Sequence, residues 1–137
     1  MALRIVVDTN VLVSAMLTGS GAPYFVLQLV QQSEVTLLAD PRIFAEYDEV
    51  TSRPEFGFDE NERRGMLDLL AQVAELVVAR PLRLSLPDPD DRLFVEVALA
   101  GNADAIVTGN TRHFISKKGA LAVVVLTPRQ LVDRLRR

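Results

Sequence analysis

The chain has 137 residues, 49% of them hydrophobic, and a formal net charge of −3. That length and apolar content suit one globular domain with a sizeable core and exclude intrinsic disorder, while the acidic balance argues against a non-specific nucleic-acid coat, which is basic overall. The absence of cysteine excludes disulfide frameworks, thiolate zinc sites and cysteine nucleophiles, and the single histidine, His113, excludes a multi-histidine metal site within one chain. Any metal is therefore expected to be held by oxygens, as Mg²⁺ or Mn²⁺ is. No apolar run reaches the roughly 18 residues of a membrane span, and the N-terminus lacks the layout of a signal peptide. A cytoplasmic protein without membrane attachment is expected.

Leu3 to Val7 read as a buried strand and Val11 to Leu17 as a short helix. Asp8 stands at the junction. It can cap the helix by accepting backbone N–H bonds, or project from the carboxyl end of a central strand into the crevice where open α/β sheets bind ligands. Thr18 to Gly21 form a loop, Pro23 opens a helix to about Gln32, and Val35 to Ala39 are a second strand. Asp40-Pro41 read as N-cap and first residue of a helix to about Ser52 that carries Glu46, Asp48 and Glu49. At roughly 100° per residue its apolar stripe is Ile43, Tyr47 and Val50. Glu46 lies at the edge of that stripe and the other two acids outside it, so Glu46 is expected to face the protein body.

Asp59 with Glu62 makes a capping-box-like start for a helix to about Glu75, and Leu76 to Ala79 and Leu82 to Leu86 read as short extended segments. Pro87-Asp88-Pro89-Asp90-Asp91 then leads into a helix from about Asp90 to Ala100. The prolines keep Asp88 extended, Asp90 is placed to cap, and Asp91 shares an inward face with Phe94, Val95 and Ala98. Leu93, Val97 and Ala100 lie opposite, and past Arg92 only Glu96 is of exposed type. A helix apolar nearly all round is covered on both sides, which predicts a homodimer interface. Ala105 to Thr108 are a strand, followed by Gly109-Asn110-Thr111 and a basic segment with Arg112, His113, Lys117 and Lys118. His113 reads as a solvated side chain. Arg112, Lys117 and Lys118 are candidates for contacts to RNA phosphates, with plain surface charge as the alternative. Leu121 to Leu126 are the last strand, and Thr127-Pro128 open a C-terminal helix.

This alternation predicts an α/β protein, a single three-layer α/β/α domain over residues 1–137 with a central, mainly parallel sheet. Loops leaving strand carboxyl ends share one edge of such a sheet, so Asp8 and Thr108-Gly109-Asn110 open onto the same crevice, with Glu46 and Asp91 in early helix turns nearby. Three carboxylates and an amide suit a hard divalent cation, which lowers the pKa of a bound water and neutralises phosphate charge. Phosphodiester hydrolysis fits best. Like-charged acids in one pocket repel, so the metal-free site is expected to be strained.

The pieces Val7-Asp8-Thr9-Asn10-Val11-Leu12, Glu46, Asp88-Pro89-Asp90-Asp91-Arg92-Leu93-Phe94 and Ile106-Val107-Thr108-Gly109-Asn110 resemble, in order, the PIN-domain ribonucleases. The likeness is to the small stand-alone toxin components of toxin–antitoxin pairs. It implies Asp8, Glu46 and Asp91 as catalytic, metal-binding acids with Asn110 beside them, and Asn10 and Thr108 as supporting polar groups. Many relatives have aspartate where this chain has Asn110, whose amide adds no negative charge; Asp90 or Asp88 is placed to compensate. The resemblance thus implies an Mg²⁺- or Mn²⁺-dependent endoribonuclease acting on RNA, with a cognate antitoxin protein as partner. Two other readings stay open: a PIN-like binding or regulatory module with a degenerate site, and a different Mg²⁺-dependent phosphohydrolase. Against the second, haloacid-type phosphatases want an acid where Asn10 stands, and receiver domains want a lysine after a late strand.

Overall fold

Leu3–Val7, the first strand (β1), is apolar throughout except for Arg4 and ends in three buried residues because it lies at the centre of the sheet. The computed structural model describes residues 2–82, 86, 88–114 and 123–136. Among these, the remaining strands are Val35–Ala39 (β2), Glu75–Leu76 (β3), Ala105–Val107 (β4) and Val125–Leu126 (β5). The helices are Thr9–Thr18 (α1), Gly21–Gln31 (α2), Pro41–Thr51 (α3), Glu60–Val73 (α4), Arg92–Ala100 (α5) and Pro128–Leu135 (α6). The sheet runs β3-β2-β1-β4-β5 and every pairing is parallel. Parallel strands need crossovers that cover both faces, which is why Ile5, Val6 and Ile106 are wholly buried.

The strand order dictates where a site can form. From β1 the chain steps outward to β2 and β3, then returns to β4 on the other side of β1 and continues to β5. Right-handed crossovers in opposite directions part the loops that leave β1 and β4, and a crevice opens at the carboxyl ends of those two strands.

The predicted strands at Leu3 to Val7 and Val35 to Ala39 match. The helix α4 stops at Val73, earlier than predicted, because Glu75 and Leu76 pair with Leu38 and Ala39 at the edge of the sheet. Asp59 caps α4 by accepting the Glu62 N–H at 3.0 Å, but the reciprocal capping box is found in α6, between Thr127 and Gln130. Of the extended segment expected at Leu82 to Leu86, residues 83–85 lie outside the described residues, as do the first residues of the strand expected from Leu121.

Two expectations are corrected. Asp90 caps nothing: Asp88 accepts the Asp90 N–H at 2.9 Å and starts a single 3₁₀ turn, Pro89–Asp91, before α5. The reason is Pro89, which has no N–H, so the first free donor is that of Asp90 and the acid two residues back receives it. Glu96, expected to be exposed, is buried. The stretch after β3 lies along that side of α5, and Glu96 accepts from Arg42 Nη1 and from the Leu82 N–H, each at 2.6 Å. Val97 is buried within the chain as well, whereas Leu93 and Leu99 of α5 are half-buried and Ala100 is exposed.

Tyr47 of α3 is fully buried, and its hydroxyl donates to the carbonyl of Val7, which ties α3 to the end of β1. Replacing it (Tyr47→Phe) leaves that carbonyl without its partner and should cost about 1–3 kcal/mol of stability. A urea titration reads this as a lower midpoint at unchanged slope.

Candidate active site

Asp8 continues the β1 ladder through its N–H, which donates to the Val107 carbonyl at 2.9 Å. It occupies the N-cap position of α1, yet its side chain makes no capping hydrogen bond. Its Oδ2 instead accepts from the Thr108 hydroxyl at 2.8 Å. The carboxylate thus reaches across the crevice to the end of β4.

Thr108 is wholly buried and its hydroxyl is a hub. It donates to Asp8, accepts the Asn110 N–H at 3.1 Å, and lies 3.5 Å from Asn10 Nδ2. Asn10 Oδ1 in turn accepts the Gly109 N–H at 3.0 Å. Asn10 and Thr108 together fasten the loop after β4 to the start of α1.

Asp91 is buried at the end of its 3₁₀ turn, and its Oδ2 has no hydrogen-bond partner. The ring of His113 stands beside it, with Nδ1 3.4 Å from Oδ2. His113 belongs to a second 3₁₀ turn, Thr111–Phe114, anchored by the buried Phe114. Its Nε2 lies 3.0 Å from Asn110 Nδ2.

The three acids of α3 separate as their phase predicted. Asp48 pairs with the buried Arg63 of α4, and Glu49 with Arg53. Glu46 has no ion-pair partner among the described residues. It stands with Asp90 on the wall of a groove of about 360 Å³ that also presents Arg42, Arg92, Pro89 and Leu93.

Uncompensated charge marks this corner. Burial raises the Asp8 carboxyl above its ordinary value, the Thr108 bond offsets part of that, and the charge of Asp88 adds to the rise. Asp91 is pushed up to about 7 by burial first, then by the charges of Asp8 and Asp88, against the opposing pull of His113. Glu46 is raised by burial, then by Glu49, Asp90 and Asp8, with Arg53 opposing. The acids feel one another, and among the described residues no cation pairs with Asp8 or Glu46.

The fold therefore gathers Asp8, Asn10, Asp91, Thr108 and Asn110 at one crevice, with Glu46 and Asp90 on its flank. Arg112 is exposed, and Lys117 and Lys118 lie outside the described residues. His113, expected to be a solvated side chain, stands at the crevice, and Arg42 and Arg92, not singled out by the sequence, line the groove. The available signal for His113 was the spacing of Asn110 and His113, three residues apart and hence one turn, which lets two side chains meet.

Among the described residues no three Asp, Glu or His side chains are drawn together into a finished metal cage. The donor set still fits a divalent cation. A buried carboxylate oxygen has no partner, and its neighbours are acids whose ionisation is suppressed by burial and mutual repulsion. A bound cation removes both costs.

A parallel α/β sheet with acids gathered where its strand order reverses defines an acidic-site α/β protein. The PIN domain profile matches residues 4–112, from β1 through Arg112, and the chain belongs to the PIN domain family, whose members are nucleases. Among solved structures it is similar to a chain of VapBC2 from Rickettsia felis bound to a DNA fragment from their promoter. That match has a TM-score of 0.59 at 19% identity over 91% of this chain and 98% of the other. It is also similar to PAE2754 from Pyrobaculum aerophilum, with a TM-score of 0.62 at 17% identity over 99% of this chain and 91% of the other. No curated protein matches the sequence.

Because the folded pKa of Asp91 is raised, from 3.8 to about 7, the native state holds a proton that the unfolded chain gives up across that window. The metal-free protein should lose stability as pH rises through it, the reverse of a salt-bridged aspartate. Thermal melts should show this decline for the wild type and a flatter profile for Asp91→Asn. A profile in Asp91→Asn as steep as in the wild type would contradict the assignment of the charge.

Proposed function

We propose that this protein is a divalent-metal-dependent endoribonuclease and the toxin of a toxin–antitoxin pair, acting in the cytoplasm as one domain over residues 1–137. The observation that carries the reading is the buried, partnerless Asp91 oxygen beside Asp8 at the switch point of the sheet. Asp8, Glu46 and Asp91, with Asn110 at the rim, are the residues that would hold Mg²⁺ or Mn²⁺. When bound, such an ion supplies a water of lowered pKa and charge to match the scissile phosphate.

The rest is done by the chain. Thr108 holds the Asp8 carboxylate over the crevice, and Asn10 keeps the loop after β4 in register with it. The groove beside Glu46 offers the guanidinium group of Arg92 to the RNA backbone and the apolar surfaces of Pro89 and Leu93 to a base or ribose, while Arg42 on the same wall is engaged by Asp40 and Glu96. Arg112, Lys117 and Lys118 stay candidates for further contacts to RNA phosphates. The toxin assignment rests on the likeness to a chain of VapBC2 and on the family resemblance of the four sequence pieces. A cognate antitoxin and a homodimer belong to the same reading.

Purified protein should cleave RNA with Mg²⁺ or Mn²⁺ and stop in EDTA. Asp8→Asn should lose more than the about 10–100-fold that an outer-shell substitution costs. Cleavage that survives both controls would refute the mechanism, and a folded protein that binds RNA without cutting it would establish the regulatory module instead. Growth arrest on expression, relieved in Asp8→Asn, identifies a toxin.

Arg92 is exposed, and among the described residues its side chain makes one hydrogen bond, to the Pro89 carbonyl at 3.4 Å. Arg92→Ala should therefore raise KM several-fold with kcat nearly unchanged, and lower the slope of log affinity against log salt by about 0.7, the value for one phosphate contact on a single strand. An unchanged slope would remove Arg92 from the RNA path.

A further inference from the structure

We propose that His113 is itself a ligand of the metal, so that the site is a mixed nitrogen and oxygen set that takes Mn²⁺ in preference to Mg²⁺. The inference rests on the metal reading above and adds to it a donor that lies beyond the residues matched by the family profile, which end at Arg112.

The geometry of the pair points this way. Asp91 Oδ2 and His113 Nδ1 are 3.4 Å apart, beyond a good hydrogen bond, and Oδ2 is bonded to nothing else. Two donors on one ion stand about 3.0–3.5 Å apart when their bonds are about 2.1 Å long. The pair is thus spaced like neighbouring ligands, and the oxygen is free to serve as one. A plain ion pair would close to the 2.6–2.9 Å that Arg42 keeps with Glu96 and Asp40 in this same chain.

Asn110 completes the argument. A ligating imidazole normally hands its other N–H to a polar neighbour, which fixes ring and tautomer. Here Nε2 faces the Asn110 amide at 3.0 Å. Turned to present its oxygen, that amide accepts the Nε2 proton and leaves Nδ1 bare toward the crevice. The main-chain N–H of Asn110 is held by Thr108, the same hydroxyl that holds Asp8. One hub thus sets the carboxylate and the residue that orients the ring. An amide here orients the ring without adding a fourth negative charge. Imidazole nitrogen suits transition metals, whereas Mg²⁺ prefers oxygen and sheds water reluctantly.

The test is Mn²⁺ titration of the metal-free protein, followed by pulsed electron paramagnetic resonance of the bound ion. The wild type should show coupling to an imidazole ¹⁴N. His113→Gln should lose that coupling and bind Mn²⁺ about tenfold or more weakly, with Mg²⁺ affinity changed far less. His113 is 42% exposed, so the variant keeps its fold. Bound Mn²⁺ without ¹⁴N coupling, at equal affinity in both proteins, would overturn the inference and leave the carboxylate site standing. No Mn²⁺ binding by either protein would overturn the metal reading and this inference with it.

Discussion

The hydrogen bond from the Thr108 hydroxyl to Asp8 Oδ2 is the constraint on which the rest of the site depends. It joins residues 100 positions apart and does so only because β1 and β4 are neighbours in the sheet. An aspartate at the start of a helix has a ready local alternative, the N–H groups of the first turn. Thr108 competes with them, and the carboxylate turns outward over the crevice. The same hydroxyl accepts from the Asn110 N–H, so the position of the loop after β4 and the direction of Asp8 are set together.

This chain compensates buried charge where only structure is at stake. Glu96 has Arg42 and a backbone N–H, Asp40 has Arg42 and the N–H of Ile43, and Arg63 has Asp48 and Glu60. At the crevice it does not. Among the described residues Asp91 has an oxygen with no hydrogen-bond partner, the half-buried Glu46 forms no ion pair, and Asp8 has a neutral hydroxyl in place of one. Leaving a buried charge unpaired destabilises a fold, so a site where several acids share that condition is one shaped for a ligand of opposite charge. The contrast within one molecule is stronger than the acidity of the corner alone.

Much of this was legible in the sequence, because it follows from local periodicity. The apolar run of Leu3 to Val7, the stripe of Ile43, Tyr47 and Val50, and the inward phase of Asp91 each carry their own signal. Helix phase placed Glu46 apart from Asp48 and Glu49, and the ion pairs of the latter two agree. What was hidden depends on chain that is distant in sequence. Glu96 looks exposed until the stretch after β3 lies along α5, and His113 looks solvated until Asp91 arrives from another turn. Asp88 takes the cap from Asp90 for a local reason that the sequence itself carries, the missing N–H of Pro89.

The difference between an amide and a carboxylate at position 110 can be argued from charge. Burial first, and the charges of neighbouring acids second, already raise the pKa values of Asp8, Glu46 and Asp91. A fourth carboxylate would raise that cost in the metal-free state and demand more cationic charge to offset it. An amide adds no such cost, and beside His113 it has a use that a carboxylate would perform differently. A carboxylate on Nε2 would orient a ligating imidazole too, but would add a fourth negative charge beside the three acids, whereas the amide orients the ring without it. Asn110 is thus consistent with a site that exchanges one oxygen ligand for a nitrogen, which changes the identity of the ion it favours more than its capacity to hold one.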